Sequence, residues 1–246
     1  MSRKYTFDQH SYTPARGIKD IPGFEEKVNS LINEYNKGAS RSLTKNERTF
    51  LSLMSLHEYE PLSKLFERMG NLSPATQQKI IKKLVKLKLI EVVQIRTGKS
   101  SQRLGQLTDT GWDFLNDKSK FKPLRGGSAH THACRLKQAL DIKRGCDESI
   151  CECPYPNSTG FSDVGTWING KLHCTEVVID CDSNICHHVR SCFISSSQVE
   201  SLTIVTLLKS EHKKLLAKMS EPDLVFFSSR IFFSTLDEIL KELYEK

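Results

Sequence analysis

The segment of residues 73–111 joins a helical pattern to an alternating one. It reads SPATQQKIIKKLVKLKLIEVVQIRTGKSSQRLGQLTDTG. Ser73 is a good helix N-cap, and Pro74 suits the first turn because the N–H that proline lacks has no partner there in any helix. Beyond Leu89, apolar and polar residues alternate on both sides of Gly98-Lys99-Ser100, which predicts a β-hairpin. The apolar residues of the predicted helix share one face and are Ile80, Ile81, Leu84, Val85 and Leu87.

A positive charge excess lies in the same segment. Between Lys79 and Arg103 the chain has eight basic residues and one acidic residue. Residues 44–118 carry 13 Lys and Arg against eight Asp and Glu, whereas the counts are seven against five in 1–43 and 16 against 16 in 119–246. The net charge of +7 therefore arises mainly in the middle of the chain, where it would attract phosphate groups.

The helix and the hairpin together predict a surface for double-stranded DNA. Glutamine pairs with adenine through two hydrogen bonds, whereas lysine mostly contacts phosphate. A solvated charged face and a protein-binding module are the alternatives that the pattern leaves open. The predicted DNA contacts are Ser73, Ala75, Gln77, Gln78, Lys79, Lys82, Lys83, Lys86, Arg96, Lys99 and Arg103.

Two flanking motifs extend this pattern. Thr44 and Glu47 form a capping box for a preceding helix, and LTDTGWDFL at 107–115 leads from the hairpin into another helix. The series of helix, N-capped recognition helix, basic wing and return segment resembles the MarR-type winged-helix regulators, whose return segment reads LT-x-x-G. The resemblance covers residues 43–115. It implies a winged helix-turn-helix fold that binds duplex DNA, with no particular operator.

The bulk composition indicates a soluble protein. Its 246 residues suit two domains, and the hydrophobic fraction of 38% and charged fraction of 26% are typical of globular chains. No apolar run approaches the ~20 residues that span a bilayer. Because residues 1–12 lack the apolar core of a signal peptide, we expect a cytoplasmic location and no membrane partner.

Breaks in the pattern predict the domain boundaries. The predicted organisation is an arm and amphipathic helix over 1–43, a winged helix over 44–118, a linker over 119–127 and a second domain over 128–246. Apolar residues recur at helical spacing from Gly23 to Lys37. This helix either packs on the winged helix or mediates a homodimer, and the sequence leaves both open.

Helices and strands alternate after residue 127. This order predicts an α/β domain with a mixed sheet, so that the whole chain is α+β. The predicted helices are 128–140, 184–194, 211–219 and 235–244, and the predicted strands are 149–153, 163–167, 173–179, 202–207 and 224–227.

Two carboxylates fall at one end of this predicted sheet. Asp163 opens one strand, and Glu176 lies in the next strand across the Asn169-Gly170 turn. Such a pair can hold Mg²⁺ beside a scissile phosphate, with a lysine to activate the attacking water. Asp180 follows the second strand and is a further candidate metal ligand, as is Asp182.

The order of these elements, with SDVGTWINGK at 162–171 and HCTEVV at 173–178, resembles the restriction-endonuclease-like PD-(D/E)xK superfamily. The resemblance implies that Asp163 and Glu176 are the catalytic, Mg²⁺-binding carboxylates. It also implies that Gly126-Gly127 and His130 match the motif of the superfamily's opening helix, and that Ser183-Asn184 begins the helix after the second strand.

The chain departs from that superfamily at two positions. Val178 stands where the motif lysine would stand, and Ala129 stands where the opening helix often carries a glutamate. Lys171 in the hairpin is the nearest lysine in sequence. The resemblance therefore implies a nuclease-like domain that has lost catalysis, or an active enzyme with a relocated lysine, and the sequence leaves the enzyme question open.

The cysteines raise a further option, because all eight follow residue 133. Cys151 and Cys153 form one pair, and Cys181, Cys186, His187 and His188 form a second cluster. The spacing differs from a repeated C-x2-C pattern, which disfavours zinc. A regulator that senses metal or redox state through this cluster is the alternative left open.

We therefore predict a DNA-binding protein whose winged helix binds duplex DNA and whose nuclease-like domain binds further DNA or a partner. The resemblance suggests, as partners, a nuclease, an ATPase or a transposition or defence protein. The alternatives are a Mg²⁺-dependent endonuclease and a winged-helix regulator with a Cys/His sensing domain.

Overall fold

The computed structural model describes residues 43–70, 72–97, 100–119, 124–157, 159–179, 184–194 and 198–244, although not the side chains of Thr97 and Ser100. The predicted arm and helix before residue 43 lie outside these ranges, as do Lys99, Asp180 and the residues 181–183. Predictions that concern them stay predictions.

The chain divides into two compact units. Of the described residues, the first unit contains those of 43–58, 64–91 and 106–119. The second contains those of 59–63, 92–105 and 124–244. Helices dominate the first part of the described chain and a mixed sheet the later part, so the predicted α+β class is confirmed.

The elements before residue 120 follow the order expected for a winged helix. Helices α1, α2 and α3 precede a two-stranded sheet, and α4 follows it. Their bounds are α1 Lys45–Leu56, α2 Leu62–Arg68, α3 Pro74–Lys86, β1 Ile90–Thr97, β2 Ser100–Leu107 and α4 Asp109–Leu115.

Both predicted helix caps are present. The Thr44 hydroxyl accepts a hydrogen bond from the Glu47 N–H, and the Glu47 carboxylate accepts one from the Thr44 N–H. Ser73 caps α3 by accepting from the Thr76 N–H at 3.2 Å. These bonds satisfy N–H groups that a helix start otherwise leaves without partners, which is why α1 and α3 begin where the sequence indicated.

The core of the first unit is formed by buried apolar side chains of α1, α2, α3 and α4. Phe50 is buried on α1 and stacks on Phe66, with ring centroids 4.4 Å apart. Ile80, Ile81 and Leu84 are buried on α3 as predicted. Val85 is instead 43% exposed, so its predicted core position is wrong. The reason is geometric, because each helical residue advances about 100° around the axis and Val85 falls beyond the buried stripe.

Gly111 of the LTDTG segment allows α4 to approach the backbone closely. A Cβ atom at this position would lie 2.1 Å from the carbonyl oxygen of Leu89 and 3.1 Å from Cδ2 of Leu107. Thr108 caps α4 and also donates its hydroxyl to the Lys88 carbonyl at 2.5 Å. The glycine of this motif therefore has a packing role.

We expect Gly111→Ala to lower the free energy of unfolding by about 2 kcal/mol, because the added methyl group must displace backbone. Urea denaturation followed by circular dichroism measures the change. Asp113→Ala, at an exposed position of the same helix, is the control. Equal stability of the two variants would contradict the packing role of Gly111.

The second unit is built on a five-stranded sheet in the order β3-β4-β5-β6-β7. Strands β3, β4 and β5 pair antiparallel, whereas β6 runs parallel to β5 and β7 parallel to β6. The bounds are α5 Gly127–Lys143, β3 Glu148–Pro154, β4 Phe161–Ile168, β5 Lys171–Val178, α6 Ile185–Phe193, β6 Val199–Thr206, α7 Lys209–Lys218, α8 Pro222–Val225, β7 Ile231–Thr235 and α9 Leu236–Tyr244.

One predicted strand is wrong. Residues 224–227 were expected to form a strand, but Pro222–Val225 is a short helix and the last strand is Ile231–Thr235. Pro222 takes a first-turn position, where its fixed φ favours a helix. Within the apolar run at 224–227, Leu224 is buried in the core, whereas Phe226 is 84% exposed.

Apolar clusters cover both faces of the sheet. One cluster packs α6 and α7 against β5 and β6 around Val189, Leu202 and Leu215. The other packs α5 and α9 against the opposite face around Leu136, Val205 and Leu236. Among the described helices, none combines the length and apolar character needed to cross a membrane.

Candidate functional site

The exposed face of α3 carries a stripe of polar and basic side chains. Ala75, Gln78, Lys79, Lys82 and Lys86 are all exposed, and spacings of three and four residues place them along one side of the helix. The opposite side buries Ile80, Ile81 and Leu84. Because α3 contains no acidic residue, every charged side chain in this stripe is positive.

Three other predicted contacts on α3 have partners within the first unit. Lys83 donates from Nζ to Oε2 of the buried Glu47 at 2.8 Å. Gln77 donates its amide to the Leu72 carbonyl at 2.9 Å, and Ser73 caps the helix. The capping role of Ser73 was predicted from the sequence, whereas the partners of Lys83 and Gln77 were not.

The hairpin places its two described basic residues differently. Arg96 on β1 is exposed, whereas Arg103 on β2 is half-buried. Lys99, the predicted wing-tip contact, lies outside the described residues.

Asp163 and Glu176 occupy the same end of the sheet. Val164 pairs with Thr175 across the antiparallel β4 and β5, so the two carboxyl residues flank one cross-strand pair. Asp163 is half-buried and accepts a hydrogen bond at Oδ2 from the Val177 N–H at 2.7 Å. Glu176 is buried. The hairpin thus brings together the two acids that the sequence singled out.

His130 on α5 contacts Asp163. Its Nε2 lies 3.0 Å from Asp163 Oδ2. Burial acts to lower the pKa of His130, but the hydrogen bond and negative charge of Asp163 outweigh burial and hold the pKa above its usual value. The Gly126-Gly127 start of α5 makes room for the ring, because a Cβ at Gly126 would lie 2.8 Å from Cγ of His130.

Glu176 has a protein partner at each carboxylate oxygen. Oε1 accepts from the Tyr155 hydroxyl at 2.5 Å, and Oε2 lies 3.1 Å from Nδ1 of His188 on α6. Burial, aided by the negative charge of Asp163, raises the pKa of Glu176 to about 7 against the opposing effects of His188 and Tyr155. The hydrogen bond to Glu176 in turn raises the pKa of His188.

Among the described residues, no lysine forms an ion pair with Asp163 or Glu176, so none replaces the lysine that the resemblance implied. Val178 is buried, and Lys171 stands at the other end of β5, where its Nζ lies 3.1 Å from Glu200. Five residues of strand separate Lys171 from Glu176, which is about 16 Å. Lys137 is buried in an ion pair with Asp141. Among the described residues, the ion-pair partners of Asp163 and Glu176 are His130 and His188.

This arrangement fits Mg²⁺ poorly. Magnesium requires nearly octahedral coordination by oxygen and retains several water molecules. Glu176 is buried with both oxygens engaged, and Asp163 faces an imidazole. Asp180, the third predicted ligand, lies outside the described residues, so the complete predicted magnesium set stays a prediction.

No protein-family model matches this chain, and no curated protein matches it. Among solved structures, the PcaV transcriptional regulator of Streptomyces coelicolor, in complex with its natural ligand, is similar at 18% identity over 42% of this chain and 74% of its own, with a TM-score of 0.29. Protein VC1899 of Vibrio cholerae is similar at 15% identity over 91% of this chain and 55% of its own, with a TM-score of 0.34. This chain therefore spans about half of VC1899. At these values neither likeness carries an argument about function.

The described cysteines of the two Cys/His groups have partners of their own. The Cys151 thiol donates to the Gln138 side chain at 3.4 Å, and the Cys153 thiol donates to the Pro154 carbonyl at 3.6 Å. The Cys186 thiol donates to the Lys218 carbonyl at 3.2 Å. Cys181 lies outside the described residues. Each of these three described thiols therefore has a hydrogen-bond acceptor within the protein.

Sequence reasoning missed Tyr155 and Cys134 near the two acids, and it placed His188 in the second Cys/His cluster without foreseeing its contact with Glu176. Tyr155 and His188 contact Glu176, and Cys134 lies beside His130, with its Sγ 3.6 Å from Nδ1. The four-residue spacing of His130 and Cys134 was a usable signal, because it places both side chains on one face of a helix. Tyr155 had no such signal, since only the folded chain brings it to β5.

Proposed function

We propose that this chain is a DNA-binding protein whose winged helix binds double-stranded DNA through α3. The observation that carries the proposal is the uniformly basic exposed stripe of Lys79, Lys82 and Lys86 on a helix whose other side is buried. Exposed amines at this spacing can reach successive phosphates of one backbone, while Gln78 on the same side can reach base edges. Ala75, at the start of the stripe, leaves room for close approach.

Residues with internal partners have a smaller part in this proposal. Lys83 is ion-paired with the buried Glu47, so a phosphate that contacts Lys83 would compete with this pair. Ser73 and Gln77 contribute mainly by fixing the start of α3. Arg96, Lys99 and Arg103 are proposed to contact the backbone of the neighbouring DNA turn.

We propose further that the second unit is a nuclease-like domain that has lost catalysis. The order α5, β3, β4, β5, α6, β6 and the position of Asp163 and Glu176 at one end of β4 and β5 support a relation to the PD-(D/E)xK superfamily. Within the part of the chain that the structure describes, no lysine is paired with either acid, and this supports the loss of catalysis. Such a domain would serve as a platform for further DNA, for a second copy or for a partner protein.

Binding and cleavage assays on the same protein test both parts of the proposal. Fluorescence anisotropy of labelled duplex and single-stranded DNA should show preferential binding of the duplex. If six basic residues contact phosphate, the slope of log affinity against log salt should be about −5. No binding of duplex at low ionic strength would overturn the proposed function.

The acids should be dispensable for binding. Asp163→Ala and Glu176→Ala are expected to leave duplex affinity unchanged within about twofold when each variant is shown to be folded, because they lie outside the proposed contact surface. The same preparations are incubated with labelled duplex and branched DNA in Mg²⁺ and in Mn²⁺. Cleavage by the parent protein that both variants lose would contradict the proposed loss of catalysis.

A further inference from the structure

We propose that His130, Cys134 and Asp163 form a binding site for a divalent transition-metal cation of the zinc class. The proposal goes beyond the proposed function and does not depend on DNA binding. Among the described residues, these three form the cluster in which one ligand atom from each side chain lies within 4.8 Å of the other two. They belong to neither of the Cys/His groups that the sequence brought forward.

Two neighbouring elements supply the three ligands. His130 and Cys134 are four residues apart on α5, so they project from the same face of one helical turn. Asp163 reaches the same point from β4. Because α5 packs on this sheet through a continuous apolar cluster, both elements hold their side chains in fixed positions.

The separations bring the three ligand atoms within reach of one cation. His130 Nε2 lies 3.0 Å from Asp163 Oδ2, and with Zn–N and Zn–O near 2.0 Å a regular tetrahedron has an N–O edge of about 3.3 Å. Cys134 Sγ lies beside the imidazole ring, 3.6 Å from Nδ1 and 3.8 Å from Nε2. Binding of one cation by Nε2 and Sγ therefore requires the imidazole ring or the thiol to rotate.

The donor types select the class of cation. Thiolate and imidazole are ligands for zinc and other transition metals, whereas Mg²⁺ and Ca²⁺ take oxygen ligands. One sulfur, one nitrogen and one carboxylate oxygen thus favour Zn²⁺ over Mg²⁺. This preference also agrees with the poor fit of Mg²⁺ to the adjacent carboxylates.

Surrounding contacts orient the ligands as in known metal sites, where histidine and carboxylate ligands are themselves hydrogen-bonded. The Val177 N–H donates to Asp163 Oδ2 at 2.7 Å. The imidazole of His130 donates a hydrogen bond to the backbone carbonyl of Arg125. Gly126 provides the space for the imidazole ring.

The site is closed on one side and open on the other. Cys134 is fully buried, while the side chains of His130 and Asp163 are 14% and 22% exposed. Three protein ligands leave one tetrahedral position, which water or another oxygen ligand takes in zinc sites of this kind. A cation would reach the site from the side of Asp163.

Cobalt titration tests the site directly. The untagged full chain is treated with chelator, transferred to buffer without chelator and titrated with Co²⁺. We expect one equivalent to bind and to produce the near-ultraviolet absorption of a cobalt–thiolate bond, which Zn²⁺ then removes by displacement. Millimolar Mg²⁺ should leave the absorption unchanged. Absence of this absorption in the folded parent protein would overturn the proposal.

Variants assign the ligands. Cys134→Ser should abolish the thiolate absorption, whereas Cys192→Ser, at an equally buried cysteine on α6, should retain it. His130→Gln keeps the thiol and removes a partly exposed ligand, so it should weaken Co²⁺ binding at least tenfold even if Cys134→Ser fails to fold. Unchanged binding in folded His130→Gln, or loss of the absorption in Cys192→Ser alone, would rule out this site.

Discussion

Replacing Lys79, Lys82 and Lys86 together by alanine is expected to weaken duplex DNA binding on the order of a thousandfold at low salt. Each lysine that contacts a phosphate releases about 0.9 of a counterion, so the loss of three of six contacts should halve the log–log salt slope, from about −5.4 to about −2.7. The three side chains are exposed, and their removal leaves the buried face of α3 intact. Folding should therefore be unaffected.

Fluorescence anisotropy over a series of KCl concentrations measures both quantities. The matched control replaces three exposed lysines of α7 by alanine, namely Lys209, Lys213 and Lys214. This replacement removes the same total charge. If DNA is attracted only by net charge, the two triple variants will lose affinity equally. That outcome would contradict specific use of the α3 stripe, whereas a much larger loss in the α3 variant would support it.

Glu176→Gln is expected to stabilise the protein at pH 8 by about 3 kcal/mol relative to the parent chain. Burial raises the pKa of Glu176 from 4.5 to about 7 in the folded state. Between these pH values the folded chain holds a proton that the unfolded chain has released. Stability therefore falls as pH rises through this window, and glutamine removes the loss because it has no charge to desolvate.

The hydrogen bonds at this position survive the substitution. The glutamine carbonyl can accept from Tyr155, and its amide can donate to neutral His188. The raised pKa of His188 depends chiefly on the Glu176 carboxylate, and the stability that it contributes is also lost as pH rises through its folded value. Both groups thus give the parent chain the same sign of pH dependence.

Urea denaturation of both proteins from pH 4 to pH 8, with chelator present, measures the difference. The stabilities should converge near pH 4, where Glu176 is protonated in folded and unfolded chains. His132, whose pKa burial lowers to about 4, gives an opposite slope between pH 4 and 6.5, but it is common to both proteins and cancels in the comparison. A difference that does not grow with pH would contradict the assigned role of Glu176.

The sequence was sufficient to predict the elements that depend on interactions between near neighbours in the chain. Ser73 with Pro74 and the Thr44–Glu47 capping box predicted the starts of α3 and α1 because caps act within one helical turn. The Asn169-Gly170 turn predicted the hairpin that brings Asp163 and Glu176 to one end of the sheet. At 224–227 the same reasoning was wrong, since an apolar run of four residues fits a short helix as well as a strand.

The sequence by itself determined the α+β class, the basic helix and the pairing of the two acids, because composition, periodicity and turn residues are local properties. The tertiary structure decided which groups those acids meet. It gave Glu176 the partners Tyr155 and His188, directed Lys83 to Glu47, and brought Cys134 to His130 and Asp163. These contacts join residues from different elements, and their distances and burial depend on how helices pack on the sheet, which no local pattern specifies.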